Sequence, residues 1–172
     1  MLHIGIMKRR RSGFSLAEIM VVVAIIGIMT AIAIPSLIAL VPQYRLENAA
    51  DRLNTDLRMA RMEALMYGAN LDVTVNPGGT NYYIFFADFD ADNILDTSER
   101  VTAQTNSLAD IPGITLVCNP QTGGRFFPDG TFRPDGGNQT LTVQVSCDGA
   151  AGSRWVNVLS SGQVFVSNVA QP

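Results

Sequence analysis

The carboxylates between residues 88 and 99 are the densest group of side chains in the sequence that could bind a ligand. The segment DFDADNILDTSE places acids at positions 1, 3, 5, 9 and 12 of a twelve-residue loop. These are ligand positions of an EF-hand-type calcium loop, in which position 7 adds a backbone carbonyl. The pattern predicts a structural calcium ion bound by Asp88, Asp90, Asp92, Ile94, Asp96 and Glu99. A solvated acidic loop is the alternative, because asparagine stands where such loops have glycine.

Two cysteines, Cys118 and Cys147, are the other candidates for chemistry. Their spacing fits no zinc motif, and the single histidine, His3, lies at the opposite end of the chain. If this part of the chain occupies an oxidising compartment, a disulfide between the two cysteines is the simplest expectation. Two buried free thiols are the alternative.

Glu18 is a lone acid near the start of an apolar run. Residues 19–34 contain no charged side chain, and the apolar character resumes after Pro35 and continues to Val41. Residues 14–41 would form about 42 Å of helix, enough to cross a bilayer core of about 30 Å. We therefore predict a transmembrane helix segment over residues 14–41. An acid inside such a segment is costly, which favours a positively charged partner for Glu18 over simple exposure at the headgroups.

A block of four basic residues, Lys8 to Arg11, precedes the apolar run. Such a block keeps its end of a membrane helix in the cytoplasm, so residues 42–172 are predicted to lie on the other side. Outside this block the chain has eight basic residues, all arginine, against 15 acidic ones. This acidic balance argues against broad binding of nucleic acid.

The N-terminal sequence KRRRSGFSLAEIMVVVAIIGIMTAIAIP resembles the signature of type IV pilins and type II secretion pseudopilins. The resemblance implies that residues 1–13 are a leader, which a prepilin peptidase removes after Gly13. It further implies N-methylation of Phe14 and a role for Glu18 in assembly with neighbouring subunits. The expected location is the inner membrane, in a single pass, with residues 42–172 as a periplasmic or extracellular domain before assembly into a filament.

Two later segments resemble a subgroup of that family. RMARMEALMYGANLDVTV, residues 58–75, is similar to the end of the long helix and the first strand of GspH/FimT-type minor subunits. FFPDGTFRPDGG, residues 126–137, is similar to their glycine-centred hairpin. The resemblance implies a minor pilin or pseudopilin that helps to initiate or cap a filament.

The pattern of residues 42–172 predicts an α+β domain. Apolar residues recur every three or four positions from Leu46 to Leu65, which indicates an amphipathic continuation of the helix to Tyr67, with Gly68 as its C-cap. We expect disturbances of this helix at Pro35 and Pro42. Short alternating segments between turns then predict strands of one antiparallel sheet. Those segments are 71–75, 82–87, 115–118, 125–127, 131–133, 141–146, 155–159 and 164–167.

The residue inventory argues against an enzyme. No histidine or lysine follows Gly13, which excludes catalytic sites that need either residue, and no phosphate-binding glycine motif is present. A structural subunit that needs no cofactor is therefore the leading hypothesis. The alternatives are a DNA-binding minor pilin, with Arg125, Arg133 and Arg154 as contacts, and a major filament subunit.

Overall fold

The computed structural model describes residues 14–75, 81–89, 104–119, 123–137 and 139–169. The chain divides into two compact units, Met1–Ile38 and Ala39–Pro172. The predicted leader, residues 1–13, lies outside the described residues, and so does the range 90–103, which includes most of the acidic segment.

One helix, α1, runs from Leu16 to Tyr67. It continues through Pro35 and Pro42, so the predicted disturbances do not interrupt it. Its second half buries the predicted stripe: Leu46, Ala49, Ala50, Leu53, Leu57, Ala60 and Ala64. Leu65, which was expected on this face, is exposed. The backbone N–H of Gly68 donates to the carbonyl of Ala64, and the positive φ of 64° at Gly68 ends the helix as predicted.

Within the residues that the structure describes, nine strands form two antiparallel sheets, where the sequence pattern predicted one. The first sheet has the order β3-β2-β1-β5-β6 and the second has the order β4-β7-β8-β9. The strands are β1 (Asn70–Val75), β2 (Tyr82–Asp88), β3 (Gln104–Ser107), β4 (Ile114–Asn119), β5 (Gly123–Phe126), β6 (Phe132–Pro134), β7 (Thr140–Cys147), β8 (Ser153–Leu159) and β9 (Val164–Ser167). The fold is therefore α+β, as expected, with the long helix α1 and the two sheets.

The core lies between the buried stripe of α1 and one face of each sheet. From the first sheet it contains Leu71, Val73, Tyr83, Phe85 and Phe126, all fully or almost fully buried. From the second sheet it contains the alternate residues of β4, β7 and β8, such as Leu116, Val143 and Val156. The period of two along each strand explains which residues enter the core.

Asn81 joins the two sheets through its side chain. It precedes β2, yet its Nδ2 donates to the carbonyl of Ile114 at 2.7 Å, and its Oδ1 accepts from the N–H of Leu116 at 3.0 Å. Both partners belong to β4, at the edge of the second sheet. The side-chain amide therefore fills the place of a neighbouring strand over two residues.

Candidate functional site

The first half of α1 presents apolar side chains in every direction. Its most apolar window has a mean hydropathy of 2.6, and none of that window is buried. The hydroxyls of Thr30 and Ser36 donate to helix carbonyls one turn back, those of Ile26 and Ala33. The helix is thus long and apolar enough to cross a membrane, and its hydroxyl groups are already satisfied.

Glu18 lies in the first turn of α1, and both Glu18 and Phe14 are exposed. Within the part of the chain that the structure describes, no basic side chain forms an ion pair with Glu18. The positively charged partner that the sequence favours for Glu18 stays a prediction. Gly13, on the other side of the predicted cleavage point, is not among them.

A cluster of two carboxylates and one guanidinium joins three strands of the first sheet. Arg125 on β5 donates to Asp72 on β1 at 3.0 and 3.1 Å, and to Asp88 at the end of β2 at 3.1 Å. The side chain of Asp88 is fully buried, and those of Asp72 and Arg125 are 13% and 19% exposed. The register pairs Asp72 directly with Arg125, which explains why these two side chains meet.

Burial raises the pKa of the Asp72 carboxyl from 3.8 to about 6. Arg125 acts to lower this pKa, and the neighbouring Asp88 carboxylate acts to raise it. Arg125 therefore does not fully offset the effect of burial on the pKa of Asp72. The sequence gives one weak signal of this cluster, a charged residue inside the strand LDVTV, which on a packed sheet needs a partner.

The Asp72 carboxyl should make stability decrease as the pH rises. Because the native chain binds this proton more tightly than the unfolded chain, Asp72 stabilises the fold below its unfolded pKa, and the contribution is lost as the pH rises through about 6. The difference in free energy of unfolding between the wild type and Asp72→Asn should fall by about 1–3 kcal/mol from pH 4 to pH 7.5. Urea unfolding of both chains across this range measures it. A difference that increases with pH would mean that Arg125 keeps Asp72 ionised throughout.

Of the predicted calcium ligands, the structure describes only Asp88, which is paired with Arg125. Asp90, Asp92, Ile94, Asp96 and Glu99 lie outside the described residues. No group of three or more metal-ligating side chains occurs within the described ranges. The calcium site stays a prediction, and it would compete with Arg125 for Asp88.

The predicted disulfide between Cys118 and Cys147 is wrong in this structure, where both are buried free thiols. The register of β4 against β7 places Cys118 opposite Val143 and Cys147 opposite Ile114. The two cysteines are therefore four residues apart along adjacent strands, roughly 13 Å, which is about twice the Cα separation of a disulfide. Burial also raises the pKa of the Cys118 thiol to about 12, which makes it a poor nucleophile.

The three arginines named for DNA binding have different surroundings. Arg125 belongs to the carboxylate cluster, and Arg154 donates to Glu47 at 3.2 Å. Arg133 is exposed and stacks over the ring of Phe127, 5.2 Å from its centroid. Arg125 and Arg133 are neighbours in the register of β5 and β6, but Arg125 and Arg154 are each paired with carboxylates, so the three do not form one unpaired positive surface.

Two family models match the chain over the elements just described. A model described as type II transport protein GspH matches residues 49–162, more than half of the 172-residue chain. The chain belongs to the GspH family. A second model, the prokaryotic N-terminal methylation motif, matches residues 8–34 of the GspH-family chain. Its range includes Gly13, Phe14 and Glu18.

Curated relatives are similar to this GspH-family member over part of their length. A fimbrial protein of Pseudomonas aeruginosa is 31% identical over 102 residues, which cover 59% of this chain and 64% of that protein. The pilin-like protein PilA1 of Thermus thermophilus is 31% identical over 93 residues, covering 54% and 58%. The chain thus spans somewhat under two thirds of the length of the curated relatives it matches.

Two solved structures share the fold of the GspH-family chain. The type IV minor pilin FimU of Pseudomonas aeruginosa is 16% identical with a TM-score of 0.57, covering 73% of this chain and 90% of that one. The minor pseudopilin EpsH from the type 2 secretion system of Vibrio cholerae is 15% identical with a TM-score of 0.51, covering 72% and 97%. At these identities the likeness establishes the architecture of a long helix packed on antiparallel sheets.

Proposed function

We propose that this GspH-family chain is a minor pilin or pseudopilin, a structural subunit of a type IV pilus or a type II secretion pseudopilus that helps to initiate or cap the filament. The observation that supports this most is α1 itself. One continuous helix of 52 residues has a wholly exposed apolar first half and a second half that holds the core of an α+β domain. Such a helix can reside in a membrane and later pack against other subunits.

The membrane topology and processing are part of the proposal. Residues 14–41 span the inner membrane once, the basic block stays cytoplasmic, and residues 42–172 form the periplasmic domain. Prepilin peptidase removes residues 1–13 and Phe14 is N-methylated, for which the methylation-motif match over residues 8–34 is the support.

Glu18 would act during assembly. No ion-pair partner of Glu18 occurs among the described residues. A carboxylate in an apolar environment would be stabilised by a positive charge on another molecule. We assign that charge to the N-terminal amine of a neighbouring subunit, which cleavage before Phe14 would create.

The expected result for Glu18→Ala is normal cleavage and membrane insertion but loss of filament incorporation by about tenfold or more. Removing a charge makes insertion easier, so a defect must arise at assembly. Mass spectrometry of the mature chain tests cleavage after Gly13 and methylation of Phe14, and quantification of the chain in sheared filaments tests incorporation.

Asp51→Ala is the matched control, since it removes one exposed acid from the second half of the same helix and should incorporate normally. An uncleaved chain in a strain with active prepilin peptidase would contradict the processing step. Normal incorporation of Glu18→Ala would contradict the pairing.

A further inference from the structure

Arg58 and Arg61 lie one turn apart on the flank of α1 that faces β9. Arg58 Nη2 donates to the carbonyl of Val164 at 2.9 Å, and Arg61 Nε donates to the carbonyl of Gly130 at 2.9 Å. Among the described residues, neither arginine has a carboxylate within ion-pair distance. Two positive charges are therefore held in fixed positions by neutral carbonyls on a domain that is otherwise acidic.

These arginines border a groove between α1 and β9 with a volume of about 350 Å³. Arg58, Arg61 and Met62 line its helix side, and Gln163, Val164 and Phe165 line its strand side. Met62 is 65% exposed, and Met59 and Met66 continue the exposed apolar surface along the helix. Methionine side chains adapt well to varied apolar partners.

The strand side of this groove is an open sheet edge. β9 is the last strand of its sheet, and the described residues place no further strand beside it. The N–H of Leu159 donates to the carbonyl of Gln163. Because hydrogen bonding alternates along an antiparallel strand, the backbone groups of Gln163 and Phe165 face β8. Those of Val164 and Val166 face the open edge. Arg58 occupies only the carbonyl of Val164 at this edge.

We propose that this groove binds an extended acidic segment of a neighbouring polypeptide, added as a strand beside β9. Backbone groups of the segment pair with those of Val166, and a carboxylate of the segment takes Arg58 and Arg61 as its ion-pair partners. Displacing Arg58 from Val164 also frees that carbonyl for the added strand. The identification of the neighbour as another filament subunit rests on the proposed function. The recognition of an acidic strand does not depend on it.

The geometry favours a peptide over the other anions that two arginines could bind. Arg58 lies 17 residues after Val41, about 26 Å along the helix from the end of the apolar run, beyond the reach of lipid headgroups. A nucleic acid needs a broad basic surface, whereas Arg125 and Arg154 are paired with carboxylates inside the chain. A groove with exposed methionines on one side and an open strand edge on the other suits an extended polypeptide.

The test uses the full chain in detergent micelles and a fluorescently labelled pentapeptide of alternating valine and glutamate. Matched peptides replace glutamate with glutamine or lysine. Anisotropy should show saturable binding of the glutamate peptide, about tenfold weaker binding of the glutamine peptide and none of the lysine peptide. The double variant Arg58→Gln with Arg61→Gln should lose the preference for glutamate.

Two further variants separate this groove from a general charge effect. Arg52→Gln, on the opposite flank of the same helix, should bind like the wild type. Val166→Pro removes a backbone N–H that faces the open edge, so it should keep the fold, judged by circular dichroism, and lose binding. Equal affinity for all three peptides, unchanged binding by the double variant or by Val166→Pro, or displacement of the peptide by single-stranded DNA would each overturn the proposal.

Filament incorporation tests the identity of the partner separately. The double arginine variant should be cleaved and inserted normally but be incorporated at least about fivefold less than the wild type. Normal incorporation of that variant would overturn a filament subunit as the partner. Absence of the wild-type chain from filaments would instead contradict the proposed function. The peptide measurements would still show whether the groove binds an acidic strand.

Discussion

Replacing Gly162 with alanine should reduce the free energy of unfolding by at least about 3 kcal/mol. Gly162 has a φ of 77°, and a Cβ at this position would lie 1.9 Å from the carbonyl oxygen of Gly130 and 2.9 Å from Arg61 Nε. The oxygen belongs to the backbone of another tight turn, so neither side can move away without breaking its own hydrogen bonds. The substitution also disturbs the hydrogen bond from Gly162 N–H to the carbonyl of Leu159.

Gly152→Ala is the matched control for this change. Gly152 has a similar φ of 88°, but a Cβ there would meet nothing within 4 Å. Its substitution isolates the backbone strain of a left-handed residue, about 1–2 kcal/mol. Urea unfolding of the three chains measures the difference. Equal losses for the two variants would mean that the contact between the turns contributes nothing.

The second large effect is expected for Arg125→Ala, which should cost about 3–5 kcal/mol of unfolding free energy. The change leaves two neighbouring carboxylates at Asp72 and Asp88 without their cation, and Asp88 is fully buried. Two neighbouring buried acids that have lost this guanidinium must either take up protons or repel each other more strongly. The loss should therefore be larger at pH 7.5 than at pH 5.

Arg133→Ala is the natural control, because Arg133 is paired with Arg125 in the register of β5 and β6 yet is exposed. Its loss should cost less than about 1 kcal/mol. Adding Asp72→Asn and Asp88→Asn to Arg125→Ala should recover part of the stability, since the uncompensated charges are then gone. No recovery would indicate that Arg125 acts through packing of its aliphatic stem rather than through its charge.

The helix and most strands could be predicted because their signals are local. The three- and four-residue spacing of Leu46, Leu53 and Leu57 predicts the buried face of α1, and alternation around Val73 and Val143 predicts strands with one buried side. Leu65 is the exception in α1, because it was expected on the buried face and is exposed. The helix continues through Pro35 and Pro42, since a proline in a long helix removes one hydrogen bond without being forced to end it.

The arrangement of the strands could not be predicted, because pairing is a long-range property. The sequence around Cys118 and Cys147 does not indicate the register of β4 and β7, which places the two cysteines four residues apart. The predicted disulfide was therefore wrong. For the same reason the contact of Arg125 with Asp72 and Asp88 could not be predicted, because β5 lies far in sequence from β1 and β2. The division into two sheets likewise depends on which strand ends meet, such as Asn81 and β4.

The amide of Asn81 makes the contact between the sheets sensitive to covalent ageing. One side chain acts as donor to Ile114 and as acceptor from Leu116, which only a carboxamide can do in this orientation. Hydrolysis of that amide to aspartate would replace the donor with a carboxylate oxygen, facing a carbonyl 2.7 Å away. Slow deamidation of Asn81 would thus weaken the hydrogen bonds that hold the first sheet to β4 of the second.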